Sequence, residues 1–228
     1  MENHDERWRG DEGPRALTWG AFLEGRSFFE TANRLTEIGS SRSILEIGPG
    51  YGRLQKALSE VGLRYDQYVG VDLSEARIGK LAQELGNEKT QFISGDARTV
   101  DLSGFEPFDL LISSATFEHI SPDFSLALSN IKRFLSLRAV AAFDLIDVGR
   151  NEGHIGTGQQ NTYVRRYTLD EVYENAERAG FQFVGALRFS MSSTELEIDP
   201  EKLVRKNIHS RQDGQVALIH RLMAVVRL

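Results

Sequence analysis

Cysteine is missing from this chain altogether, which excludes disulfides, thiolate zinc sites, iron–sulfur clusters and every mechanism with a cysteine nucleophile. No apolar run approaches the ~20 residues that a membrane helix needs. The opening Met1-Glu2-Asn3-His4-Asp5-Glu6-Arg7 has neither the charge order nor the apolar stretch of a signal peptide. A cytoplasmic location with no membrane partner is therefore expected. Basic residues are also in deficit, with 27 Lys+Arg against 33 Asp+Glu and a net charge of −6. Such a balance argues against a broad phosphate-binding surface, so no nucleic-acid partner is expected. Metal-ligand spacing is absent too: Asp144 and Asp147 sit on one predicted strand without a matching His or Asp pair nearby, and metal independence is the expectation.

What is present suits one enzyme-sized core. At 228 residues and 40% hydrophobic content, the chain is long enough for a single domain and short for two. Residues 1–16 are polar and charge-rich, with Gly10, Gly13 and Pro14, and read as a mobile arm before a domain over 17–228. From Thr18 onward, Phe22, Phe28, Phe29, Ala32 and Leu35 suggest one or two helices. Strand and helix patterns then alternate. Ser43–Ile47, Tyr68–Val71, Gln91–Ile93, Phe108–Ile112 and Ala139–Phe143 read as strands.

Between these strands lie helical patterns. Leu54, Leu58 and Val61 recur at helical spacing; Ser74 stands as an N-cap ahead of Ile78, Leu81, Ala82 and Leu85, with Gly86 to end that helix. Phe124, Leu128, Ile131 and Leu135 share a face of another. Thr168-Leu169-Asp170-Glu171 has capping-box form, and Gly180 closes its helix before a strand at Phe181–Val184. The Gly-rich and aromatic stretch 149–167 is long for a plain connection and reads as a lid. Residues 190–214 are polar, and the apolar segments after them form a last long strand or a hairpin. The alternation predicts a mainly parallel sheet covered on both faces, with ligands at the carboxyl ends of its strands.

One such end carries Glu46-Ile47-Gly48-Pro49-Gly50-Tyr51-Gly52, whose glycines allow a tight turn and close approach of a ligand to the backbone. Asp72 follows Gly52 by about 20 residues at the end of the second strand, where a carboxylate can accept from both hydroxyls of a ribose diol. A dinucleotide fingerprint, G-x-G-x-x-G, would place its third glycine at position 53, which is Arg53. Glu46 adds a negative charge where phosphates would lie, whereas a cofactor carrying an ammonium and a sulfonium accommodates it.

Ile44 to Leu54 resembles motif I of class I S-adenosylmethionine (SAM) dependent methyltransferases, and E-x-G-x-G-x-G is matched at Glu46, Gly48, Gly50 and Gly52. Tyr68–Ser74 is similar to the family's second motif, Phe92–Ala97 to its third, and Phe108–Ser113 followed by Phe117-Glu118-His119-Ile120 to its fourth-strand segment. The likeness runs over about residues 40–185. It implies an α/β, Rossmann-like three-layer sandwich, with a mainly parallel seven-stranded sheet and an antiparallel C-terminal strand.

The cofactor implied is SAM. Gly48, Gly50 and Gly52 would shape the wall around its methionine part, and Glu46 would steady that loop or the ammonium through water. Asp72 would hold the ribose, Leu73 would pack on the adenine, Asp96 would accept from its N6 amine, and Ala97 would offer a backbone N–H. Ser113 would supply a carbonyl near the ammonium. Two departures narrow the reading. Ser113-Ser114-Ala115-Thr116 lacks the Asn/Asp-Pro-Pro-aromatic signature of methylation on adenine or glutamine amides, and Leu135-Ser136-Leu137-Arg138 lacks the family's Pro-Gly-Gly turn. Without cysteine, covalent cytosine-C5 methylation is excluded as well.

Methyl transfer is an in-line displacement, so alignment supplies much of the rate. A hydroxyl or protonated-amine acceptor needs a base, and His119 is the candidate, with Glu118 able to share the role; His119 as a cap or packing residue of the next helix is the alternative. For substrate binding the candidates are Trp19, Phe117, His154, Tyr163 and Arg166, with Phe22 and Arg165 beside them. The aromatics are equally readable as core and the arginines as a solvated loop. The expected function is methyl transfer to an O or N atom of a small-molecule acceptor, a sugar or secondary metabolite, with a homodimer left open. The other readings are a SAM-binding partner protein without catalysis, and an NAD-dependent oxidoreductase opposed by Arg53 and Glu46.

Overall fold

A computed structural model of the protein describes residues 17–20, 25–148, 155–157, 163–192, 194–199, 204–209 and 218–228. In chain order these form β1 (Leu17–Gly20), α1 (Gly25–Asn33), β2 (Ser43–Ile47), α2 (Arg53–Ala57), β3 (Gln67–Asp72), α3 (Glu75–Leu85), β4 (Thr90–Ser94) and β5 (Phe108–Ser114). Then follow α4 (Ser125–Ile131), β6 (Leu135–Ile146), β7 (Ile155–Thr157), β8 (Tyr163–Arg165), α5 (Leu169–Arg178), β9 (Gln182–Ser192), β10 (Thr194–Asp199), β11 (Val204–His209) and β12 (Leu218–Arg227).

Seven strands make one sheet in the order β4-β3-β2-β5-β6-β12-β9. Neighbours from β4 to β6 are parallel, while β12 runs antiparallel between β6 and β9. The mainly parallel sheet with an antiparallel C-terminal strand read from the motifs is thus the observed one. The apolar strand runs have a direct cause. Leu45, Ile47, Val69, Val71 and Leu111 pack into one core, whereas Ile44, Tyr68, Leu110 and Ile112 pack into the other, so both faces of each strand are buried.

Helix boundaries follow their capping residues. Ser74 Oγ accepts from the Arg77 N–H at 3.3 Å to start α3. Thr168 and Glu171 exchange both bonds of a capping box at α5, and Gly180, at φ 81°, turns the chain out of it.

Three local expectations are corrected, and one segment left without an assignment gains one. Leu17–Gly20 is a strand, not helix, because it pairs antiparallel with β10 from Leu17↔Glu197 to Gly20↔Thr194, a partner too distant in sequence to be foreseen. The helix after β5 stops at Ile131. Leu135 instead opens β6 opposite Phe108, after a single 3-10 turn at Lys132–Phe134. Ala82 faces solvent, and the buried side of α3 carries Arg77, Ile78 and Leu81. Within 190–214, β10 and β11 pair with one another, giving a separate three-stranded sheet β1-β10-β11. The expected arm at 1–16 lies outside the described residues. Of the expected lid, 155–157 and 163–165 pair as an antiparallel ladder.

An aromatic knot fills the space under β6. Phe124 lies 5.6 Å from Phe117, 5.3 Å from Phe143 and 5.1 Å from Tyr167 between ring centroids, and all four residues are fully buried. Aromatic pairs at such spacing add to the stabilisation from burial alone. Phe124→Ala is expected to cost about 3–5 kcal/mol in urea unfolding. A loss below about 1 kcal/mol would show that the cluster is not an organising core.

Candidate functional site

The chain leaves β2 towards β3 on one side and reaches β5 on the other, so strand order switches between β2 and β5. Loops leaving such a switch diverge and open a crevice at the carboxyl ends of the strands. Gly48–Gly52 occupies the first loop. Gly48 has φ 72°, donates to the Val71 carbonyl at 2.8 Å, and a Cβ there would collide with the Thr116 side chain. Gly52, at φ 78°, starts α2, and a Cβ on it would strike Leu85. Gly50, at φ 57°, differs, since a Cβ there would meet nothing within 4 Å. That loop backbone is open to close approach.

Asp72 ends β3 beside this loop and is 8% exposed. Its Oδ1 accepts from the Ser74 N–H at 3.0 Å and its Oδ2 from the Gly50 N–H at 3.4 Å. The Leu73 N–H faces the carboxylate as well, and a carboxylate held in this way at a strand end can accept from the hydroxyls of a diol. Burial raises its pKa, and Arg77 at 3.8 Å with the loop N–H groups works against that rise. Arg77 also lies over the Tyr51 ring, 5.7 Å from its centroid. Leu73 is half-buried next to Asp72.

Glu46 is buried beneath the loop and accepts a short hydrogen bond from the Tyr68 hydroxyl. Burial pushes its pKa up to about 7, against the pull of that hydrogen bond and of Arg53. Ser113 Oγ donates to the Ile47 carbonyl at 2.9 Å, tying the ends of β2 and β5 together. Asp96 lies past β4, and there Arg98 grips both its oxygens, with Nε at 2.9 and 3.0 Å and Nη2 at 2.6 Å. Arg98 Nη1 reaches on to the Ser121 carbonyl at 3.2 Å. Any adenine amine approaching Asp96 shares it with this guanidinium. Ala97 is buried, and its carbonyl accepts from Asn130 Nδ2 at 3.2 Å.

The second loop, after β5, carries Ala115 at φ 54°, Thr116, and a 3-10 turn Phe117–His119. His119 is half-buried, with Nδ1 2.9 Å from the Tyr163 carbonyl. A carbonyl only accepts, so Nδ1 carries the proton and Nε2 is the acceptor nitrogen of the neutral ring. Its neighbours depart from expectation. Glu118 is 1% exposed and ion-paired to Arg221 Nη2 at 3.0 Å, so burial and pairing remove it as a base. Phe117 is fully buried in the aromatic knot and does not line a substrate pocket.

Tyr163 is likewise corrected. Its hydroxyl donates to the Pro122 carbonyl at 2.6 Å, and Arg165 Nη1 donates to the same oxygen at 2.9 Å. These two brace the β7–β8 ladder against the loop after β5 instead of standing ready for substrate. Arg166 is half-buried between β8 and Tyr167. Trp19 enters through its backbone, opposite Glu195 in β1, and Phe22 and His154 lie outside the described residues.

Reading the sequence missed the roles of Tyr68, Arg98 and Thr116, and it considered Asp144 only to set it aside as a metal ligand. Asp144 and Arg221 are charges inside otherwise apolar strand runs, and that anomaly was the available signal. Among the described residues no group of acids and histidines has metal-binding spacing. No helix among them is long and apolar enough to cross a membrane.

Residues 45–143 match a family model described as a methyltransferase domain. No curated protein matches the sequence. Among solved structures, a 1,6-didemethyltoxoflavin-N1-methyltransferase of Burkholderia thailandensis, holding 1,6-didemethyltoxoflavin and S-adenosylhomocysteine, aligns with a TM-score of 0.62 at 21% identity, over 88% of this chain and 77% of that one. A SAM-dependent methyltransferase of Mesorhizobium loti aligns at 0.61 and 15% identity, over 87% and 96%. A protein studied for conversion of a disulfide bond into a thioacetal group during echinomycin biosynthesis aligns at 0.61 and 20% identity, over 98% and 90%. The resemblance read from the motifs therefore holds: 45–143 carries the methyltransferase-domain pattern, on the fold of SAM-dependent methyltransferases.

The Glu46–Tyr68 pair makes a prediction about pH. The pKa of Glu46 is raised from 4.5 to about 7 in the folded chain. The native state therefore holds a proton that the unfolded state has lost, and stability falls as pH rises from 4.5 through 7. Glu46→Gln keeps an acceptor for Tyr68 and is expected to flatten this slope, on the order of 3 kcal/mol between pH 4 and 8. Identical slopes in urea titrations of both proteins would sink the assignment.

Proposed function

We propose that this methyltransferase-domain chain binds SAM and transfers its methyl group to an O or N atom of a small-molecule acceptor. The observation that carries the reading is the pairing, at one strand switch, of an approachable glycine loop at Gly50 with Asp72, a buried carboxylate at the end of β3. The donor set suits the cofactor. Glu46, Asp72 and Asp96 put carboxyl groups at or just past the carboxyl ends of β2, β3 and β4, where they oppose phosphates and accommodate an ammonium and a sulfonium.

When bound, the cofactor supplies an electrophilic methyl on a sulfonium: the carbon–sulfur bond breaks, the acceptor–carbon bond forms, and a neutral thioether leaves. The chain's part is to hold and deprotonate. Asp72 would fix the ribose, and Gly48–Gly52 with Ser113 would border the methionine portion. His119, whose Nδ1 donates to the Tyr163 carbonyl at 2.9 Å, would take the acceptor's proton at Nε2. The small-molecule class is supported by the net charge of −6 and by the 1,6-didemethyltoxoflavin held by one structural neighbour.

Calorimetric titration tests the cofactor. Micromolar binding of SAM and S-adenosylhomocysteine, no binding of NADH, and a loss of about 100-fold or more in Asp72→Ala are expected, from two charge-assisted hydrogen bonds. NADH binding instead would overturn the reading. With an acceptor identified from a screen, His119→Ala is expected to lower kcat by about 10²- to 10⁴-fold at neutral pH. An unchanged kcat would assign His119 to packing.

A further inference from the structure

Beneath the second loop sits a buried ionic cluster that takes no part in the proposed methyl transfer. Arg221 on β12 places one nitrogen, Nη2, 2.5 Å from Asp144 Oδ1 on β6 and 3.0 Å from Glu118 Oε1 in the 3-10 turn. The three residues are 2%, 0% and 1% exposed. Burial works against the guanidinium's charge, but Asp144 and Glu118 outweigh it and hold its pKa above the ordinary value. From this centre, contacts run to the second loop and, through Thr116, to the glycine loop.

On one side, Asp144 Oδ2 accepts from Ser114 Oγ at 2.8 Å and Oδ1 from the Ala115 N–H at 2.9 Å. Those bonds clamp a residue at φ 54°, a backbone conformation costly for a side chain with a Cβ. The clamped turn sets Thr116, whose side chain fills the space beside Gly48 and whose Oγ1 lies 3.5 Å from the Gly48 carbonyl. On the other side, Glu118 immediately precedes His119.

We infer that Arg221 is a positioning residue that sets the cofactor loop, through Asp144, Ala115 and Thr116, and the His119 imidazole, through Glu118. It touches no reacting atom. Its effect on the cofactor loop rests on the proposed function, whereas its effect on His119 does not.

Arg221→Met keeps the aliphatic volume and removes the charge; Arg221→Lys returns a cation, and a single nitrogen serves both carboxylates here. Two readouts are made on the folded proteins, the His119 tautomer from its ring ¹⁵N shifts and the affinity for S-adenosylhomocysteine. In Arg221→Met, His119 is expected to lose its preference for the Nδ1–H form, and affinity to fall about tenfold, the size of coupling usual along a connected network. Arg221→Lys restores both in part. A cluster serving only stability would lower the melting temperature with tautomer and affinity unchanged, and that result overturns the inference, as does Arg221→Lys behaving no better than Arg221→Met.

Should Arg221→Met not fold, Glu118→Gln, which keeps the shape and an acceptor oxygen, decides. A smaller shift of the His119 tautomer supports the inference, and an unchanged tautomer overturns it. Wild-type protein that fails to bind S-adenosylhomocysteine sinks the methyltransferase reading alone, and the tautomer readout then judges Arg221.

Discussion

The approach of Thr116 to the backbone of Gly48 governs the geometry of the crevice. Strands β2 and β5 run parallel, and their following loops depart in opposite directions, so nothing in the sheet itself holds those loops together. A glycine without Cβ on one loop and a threonine side chain on the other close the gap. Ser113 adds a hydrogen bond to Ile47 just below. With this junction in place, Asp72 receives the Gly50 N–H and His119 is carried to the far wall. Any larger residue at Gly48 would push the two walls apart.

Around this junction, carboxyl groups cluster near the strand ends, and each is paired. Glu46 has the Tyr68 hydroxyl, Asp72 has Arg77 and the backbone N–H groups of Gly50, Leu73 and Ser74, Asp96 has Arg98, and Asp144 and Glu118 share Arg221. Buried carboxylates without partners would neutralise or destabilise the fold. The partners differ in kind, and so do the consequences. A phenol leaves Glu46 able to hold a proton up to about pH 7. The guanidinium at Arg221 keeps its charge in full burial, because two carboxylates outweigh the cost of desolvation.

Much of this architecture was legible along the chain. The five strands of the glycine-loop half, the Ser74 cap, the capping box at Thr168 and the terminating Gly180 depend on interactions within a few residues, and they stand where the patterns place them. The cofactor-loop residues were legible for the same reason, since a tight turn between a strand and a helix is a local demand. Illegible were the roles of Glu118 and Phe117. Both follow a strand end, as a site residue would, but one faces a buried arginine 103 positions later in sequence and the other an aromatic knot. The strand at Leu17–Gly20 was hidden likewise, because its apolar residues suit a helix until β10 offers a ladder.

Taken alone, then, the amino-acid sequence determined the order of strands and helices from β2 to β6, the glycine loop with its acid, and the exclusion of thiol chemistry, because each follows from composition or short-range spacing. Tertiary structure decided which charges meet. Arg98 on Asp96, Arg77 beside Asp72, and Arg221 between Glu118 and Asp144 are pairings in space. Their energies depend on burial and on distances of a few ångströms, quantities that no spacing along the chain encodes.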